Sequence, residues 1–175
     1  MILKIVKSPD PKLRTVSKPV AKIDKKILTI IKDMKDTLGV QKDPEGVGLA
    51  APQVGKNLRI FIANYKKFQR VIINPEIVHI DKEIAKENKS KNEILEGCLS
   101  LPHYYGPLKR AKSVTITYLN EKGEKIEEKF EGFNAQIILH EIDHLNGILF
   151  VDHIFEEKKK LYKHTKGEWE EVELV

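Results

Sequence analysis

Cysteine occurs once in this 175-residue chain, as Cys98, so no internal disulfide can staple the fold. A lone cysteine is a small buried hydrophobe, a metal ligand or a nucleophile, and its neighbours must decide which. Long apolar runs are missing too. None approaches the roughly 18 residues of a membrane span, so no membrane contact is expected. The opening MILKIVKSPDPKLR has neither the apolar core of a signal peptide nor the Arg/Ser-rich helix of a transit peptide. The expected location is the cytoplasm. There is no internal repeat, no low-complexity tract, no aromatic-bearing RNP segment and no GXXG loop, so sequence-specific nucleic-acid binding is not expected.

What is present suits a folded domain. Hydrophobic residues make up 41% and charged residues 33%. That supports one domain over residues 1–175 with a single core, residues 156–175 forming a polar tail. The formal charge of +5 comes from lysines scattered along the chain, the pattern of a solvated surface. KKILTIIKDMKDTLG (25–39) sets Ile27, Ile30, Ile31, Met34 and Leu38 on one helical face, with Gly39 as a stop. LRIFIANY (58–65) and RVIINPEIVHI (70–80) read as strands, Pro75 marking an interruption or an edge. SVTITYLNEKGEKIEEKFE (113–131) reads as a hairpin. FNAQIILHEIDHL (133–145) reads as a second helix, capped by Asn134 or Gly132 and followed by Gly147. The tail reads as a short polar helix. The class is α+β: antiparallel sheets packed around the 133–145 helix, with an N-terminal helix and a C-terminal tail helix.

Within that second helix lies His140-Glu141-Ile142-Asp143-His144, a His-Glu-x-x-His pattern. Residues four apart share a helical face, so the two imidazoles can aim at one cation, Zn²⁺ or Fe²⁺. Glu141, about 100° round from His140, is badly placed as a ligand but close enough to touch a water at the metal. The bland alternative is a chance match on an apolar helix, where unpaired rings would be costly to bury. A zinc endopeptidase would draw its third ligand from downstream. Asp152, His153, Glu156 and His164 have no matching helical pattern, and Gly147 is followed by ILFV rather than a third-ligand extension. Upstream, EGCLSLP (96–102) holds Cys98 between Gly97 and Pro102. One thiolate and two imidazoles leave a fourth position open, the layout of a catalytic site. GVGLAAPQVG (46–55) has little side-chain bulk, so a neighbouring backbone or an extended ligand can approach it. Gln53 is its one side chain that both donates and accepts hydrogen bonds.

In this order GVGLAAPQ, EGCLS and HEIDH resemble the three signature motifs of the peptide deformylases. SPDPKLRTVSKPV, INPEI and HLNGILFVDHI are also similar to that family, so the likeness spans residues 2–155. The resemblance implies a hydrolase that takes the N-formyl group from the formyl-methionine of nascent chains. It implies one divalent metal on Cys98, His140 and His144, natively Fe²⁺ with Zn²⁺, Ni²⁺ or Co²⁺ as substitutes. Coordination chemistry alone would put zinc first. Glu141 is then the general base toward metal-activated water, with the Gln53 amide and the Leu99 N–H meeting the formyl oxygen. The backbone at Val47 and Gly48 pairs with an extended peptide, and Val47, Ile94, Phe133 and Ile137 line a methionine pocket. Glu96 and Asp143 orient ligands, Arg110 pairing with Glu96. For Asp143, a plain salt bridge on the helix is an equal reading. HYYGP after EGCLSLP departs from the family pattern, and His103 reads as an exposed loop histidine. The expected protein is a monomer acting on formyl-methionyl nascent peptides, its Lys-rich tail docking at the ribosome near the exit tunnel. The alternatives are a zinc endopeptidase and a metal-stabilised basic RNA-binding module, the latter needing a fourth ligand.

Overall fold

The apolar density of IFIANY is explained by cover on both faces. In the computed structural model, which describes residues 1–84 and 95–173, this stretch is strand β2 (Ile60–Tyr65) of a five-stranded antiparallel sheet. Its order is β1 (Gly48–Ala50), β2, β3 (Phe68–Ile84), β6 (Ala111–Leu119), β7 (Lys125–Glu131). Successive side chains point to opposite faces. Ile60, Ile62 and Ile73 meet helix α1 (Lys25–Gly39) through Ile30, Ile31 and Met34. Phe61, Ala63, Ile72, Val114 and Ile116 meet helix α2 (Gly132–Leu145) through Ile138, Ile142 and Leu145. Each fully buried side chain of this size contributes about 1.5–3 kcal/mol.

Helix α1 has the face that the spacing predicts, and the Asp24 side chain caps it by accepting from Ile27 N at 3.0 Å. Neither Asn134 nor Gly132 caps α2. Its N-cap is Glu131, whose side chain makes no capping bond. Its end is built on Gly147, with φ +73. Gly147 N donates to His144 O and Ile148 N to Asp143 O, which closes the last turn and fixes the residues that carry the second histidine. Pro75 is an interruption, not an edge. Strand β3 lies inside the sheet, and its register slips between Ile73 and Glu76. At the slip Asn74 takes φ +51 and its amide bonds both ways with the Val20 backbone, tying the N-terminal arm down.

A second antiparallel sheet runs β4 (Glu96–Cys98), β5 (Leu101–Gly106), β8 (Leu161–Thr165), β9 (Glu168–Val172). One of its faces packs Leu161 and Tyr104 into a third core with Phe150 and Ile154 of helix α3 (Phe150–Glu156). This corrects the reading of 156–175 as a polar helix. Helix α3 ends as that segment begins, and the rest of its described part is the β8–β9 hairpin. The turn is Lys166-Gly167, both at positive φ (51 and 81), which suits the twist of a two-residue hairpin. HYYG is likewise strand β5, so His103 is not a loop residue. It sits half-buried in that strand, with φ +72.

Candidate active site

Strand β4 and helix α2 supply the site from opposite sides. Helical spacing puts His140 and His144 on one face of α2, their ring centroids 4.9 Å apart. Strand β4 brings in the Cys98 thiol, whose Sγ lies 3.2 Å from His144 Nε2. One ligand atom from each of Cys98, His140 and His144 falls within 4.8 Å of the other two. The four downstream candidates go elsewhere. Asp152 pairs with Arg14, His153 with Asp143, and Glu156 is exposed. His164 lines the cavity without joining the cluster.

The donor set fits a divalent cation. Cys98 and His144 are almost fully buried, a poor setting for polar groups with nothing to bind. Burial also drives His144 well below its ordinary pKa, which keeps it the neutral ring that metals take. Burial lowers His140 as well, but Cys98 and Glu96 outweigh it and favour positive charge at this point. The same negative groups favour a metal ion there.

Glu96 orients one ring. Its Oε1 accepts from His140 Nδ1 at 2.6 Å, which fixes the tautomer and leaves Nε2 free as a donor to metal. Arg110 forks onto the same carboxylate, Nε to Oε2 at 2.9 Å and Nη2 to Oε1 at 2.6 Å. Burial pushes Glu96 up, but the bonds from His140 and Arg110 hold it at about 2. The third arm of Arg110 reaches Asp143 at 2.8 Å, and His153 Nε2 donates to Asp143 at 2.8 Å. Among the described residues the Asp143 carboxylate therefore bonds to Arg110 and His153 rather than to a ligand ring. His144 Nδ1, by contrast, has no partner among the described residues.

Glu141 points into the same space. It is buried, its Oε2 has no partner among the described residues, and burial raises its pKa to about 7. Gly48 makes room for it. A Cβ there would overlap Glu141 Oε1 and stand 2.9 Å from Cδ. Gln53 Oε1 accepts from Ala50 N at 2.9 Å, which turns the amide so that Nε2 faces Ser100 Oγ at 3.1 Å and Cys98 Sγ at 3.5 Å.

Gln53, Glu96, Cys98, His140 and Glu141 line a cavity of about 480 Å³ that also takes in Val47, Gly48, Leu99, Phe133 and Ile137. Ile94 lies outside the described residues, and its neighbour Leu95 is on the wall. Sequence reasoning missed Asp43, Glu45, Tyr65, Tyr105 and Gln136 on the wall, and Lys7, which bonds Leu99 O at 2.7 Å. Strand β1 is an edge strand beside this cavity.

The profile of the polypeptide deformylase family matches residues 2–160. A peptide deformylase of Pseudothermotoga lettingae is 44% identical over 87% of this chain and 82% of its own. Among solved structures, the peptide deformylase of Thermotoga maritima is 39% identical, covers 87% of this chain and 97% of its own, and superposes with a TM-score of 0.77. That of Ehrlichia chaffeensis is 34% identical over 90% of each chain, with a TM-score of 0.80.

Proposed function

This chain belongs to the peptide deformylase family, and from that premise we propose how its own residues carry the reaction. The protein is a hydrolase that removes the N-formyl group from the formyl-methionine of nascent polypeptides and releases formate. The observation that carries the reading is the buried Glu141 carboxylate, its Oε2 without a partner among the described residues, beside one thiol and two imidazoles at a cavity bordered by a sheet edge.

Cys98, His140 and His144 hold one divalent cation, natively Fe²⁺, with Zn²⁺, Ni²⁺ or Co²⁺ able to replace it. When bound, the cation polarises the formyl carbonyl and makes water acidic near neutral pH. Glu141 takes a proton from the attacking water and returns one to the departing amine nitrogen, work suited to a carboxylate raised to about 7. Gln53 Nε2 and the Leu99 N–H donate to the formyl oxygen as it gains charge. Val47 and Gly48 pair with the peptide main chain at the β1 edge, which is indifferent to the side chains that follow. Val47, Phe133 and Ile137, with Ile94, accept the methionine side chain.

Residues 1–175 work in this reading as one catalytic domain, monomeric and cytoplasmic. No helix among the described residues is long and apolar enough to cross a membrane. Ribosomal docking of the tail gets no support from its charge, since residues 156–173 carry five lysines against six glutamates.

The direct test is formate release from formyl-Met-Ala-Ser by anaerobically prepared protein of measured metal content. Acetyl-Met-Ala-Ser should stay intact, and equal cleavage of both peptides would point to an endopeptidase. Gln53→Ala should keep its metal and lose turnover by about 10²–10³, the usual cost of one oxyanion donor. Near-normal turnover in the metal-replete variant would remove Gln53 from this role. Gly48→Ala forces Glu141 aside and should cost about 10²-fold in kcat, as angstrom-scale misplacement does. A kcat within threefold of the parent would show that Glu141 has freedom the packing denies it.

A further inference from the structure

The β8–β9 hairpin lies past residue 160, where the family match stops, yet it supplies part of the cavity wall. Strand register explains how. Tyr105 pairs with Tyr162 across β5 and β8, and His164 with Trp169 across β8 and β9. Cross-strand partners share a face, and so do residues two apart, so Tyr105, His164 and Trp169 stand on one side of the sheet. The opposite side packs on α3. The three rings form a continuous shelf: the Tyr105 and Trp169 centroids are 5.4 Å apart at 65°, and those of His164 and Trp169 are 4.5 Å apart at 30°. The shelf begins beside the reacting groups. Tyr105 lies over Gly97, where a Cβ would come within 2.6 Å of the ring, and Gly97 precedes Cys98. It ends in solvent, with Trp169 54% exposed.

The charge around this shelf is one-sided. The cavity wall carries the carboxylates of Asp43, Glu45, Glu96 and Glu141 and, among the described residues, neither lysine nor arginine. Glu96 is matched by Arg110 and Glu141 is set deep, which leaves the exposed Asp43 and Glu45 at the mouth. Asp43 lines the same cavity as Tyr105, and burial, then the Asp43 charge, raises the Tyr105 phenol above its ordinary range. In a chain of net charge +5, the entrance is acidic. Aromatic faces and carboxylates both favour a cationic side chain.

We propose that the C-terminal hairpin forms a recognition shelf for the substrate peptide beyond its formyl-methionine, and that Tyr105, His164 and Trp169 with Asp43 and Glu45 select lysine or arginine there. This rests on the deformylase reading for the identity of the peptide. The main-chain pairing at β1 is blind to side chains, so the shelf adds a preference to an otherwise general enzyme.

Trp169 is the only tryptophan in the chain, so its fluorescence reports the shelf directly. The experiment compares formyl-Met-Lys-Ser with formyl-Met-Glu-Ser in two ways. In metal-loaded enzyme, kcat/KM should favour the lysine peptide about tenfold, with the difference carried by KM. The ratio should fall to threefold or less in Trp169→Ala and in Asp43→Asn/Glu45→Gln, and Trp169→Phe should restore it. In Glu141→Gln protein, the lysine peptide should change Trp169 emission at concentrations where the glutamate peptide does not. Ratios within twofold in the parent enzyme, a full preference in Trp169→Ala, or equal emission changes with both peptides would overturn the shelf. No formate from either peptide, with lysine-selective emission intact, would remove the deformylase reading and leave the shelf standing.

Discussion

Glu141→Gln should fold, bind its metal and lose formate release by about 10²–10⁴, the contribution of a positioned general acid–base group. The substitution keeps size and shape, so the Gly48 niche still accepts the side chain. What goes is the ability to take a proton. Glu141 is buried without a partner for Oε2 among the described residues, so its charged form is held at a cost and an amide relieves it. Thermal stability should therefore hold or rise while activity collapses, the signature of a group kept for chemistry. The measurement is single-turnover formate release at matched metal content, alongside the unfolding midpoint. Turnover within fivefold of the parent would put the proton transfer elsewhere.

The second large effect concerns Arg110, which touches no reacting atom. Arg110→Met leaves the buried Glu96 carboxylate, and the half-buried Asp143, without their shared cation. Breaking one side of a buried ion pair typically costs about 3–5 kcal/mol. For a chain of this size that lowers the unfolding midpoint by roughly 6–20 °C. Metal affinity should fall too, because Glu96 then holds the His140 ring less firmly. Adding Glu96→Gln should recover part of the stability but not the affinity, since a neutral amide relieves the orphaned charge and grips the imidazole poorly. A loss below about 1 kcal/mol in the single variant would mean that Glu96 finds another cation.

Reading the chain alone succeeds where a pattern is local. The face of α1, the 113–131 hairpin and the His-Glu-x-x-His helix all follow from periodicity within one segment. The Arg110–Glu96 pair was legible only through the family likeness, because fourteen residues and a turn of chain separate them. The tail was misread because its lysine run hides a period of two, although Lys166-Gly167 between Thr165 and Glu168 carries the turn chemistry of a hairpin. Tyr105 and His164 at the cavity could not be seen at all. Their placement depends on the pairing of β5 with β8, strands far apart in the chain whose register is a tertiary fact. The role of Lys7 is hidden for the same reason, since its bond to Leu99 O joins segments far apart in the chain.

Helix α2 lies in the middle of its own hydrophobic cluster, with Ala135, Ile138 and Leu145 sealed against the sheet. Its buried amide protons should be among the slowest in the chain to exchange with solvent, so His140, Glu141 and His144 sit on one of its stiffest elements. The stretch from Asp43 to Val47 and strand β9, where few side chains are sealed in, should exchange sooner.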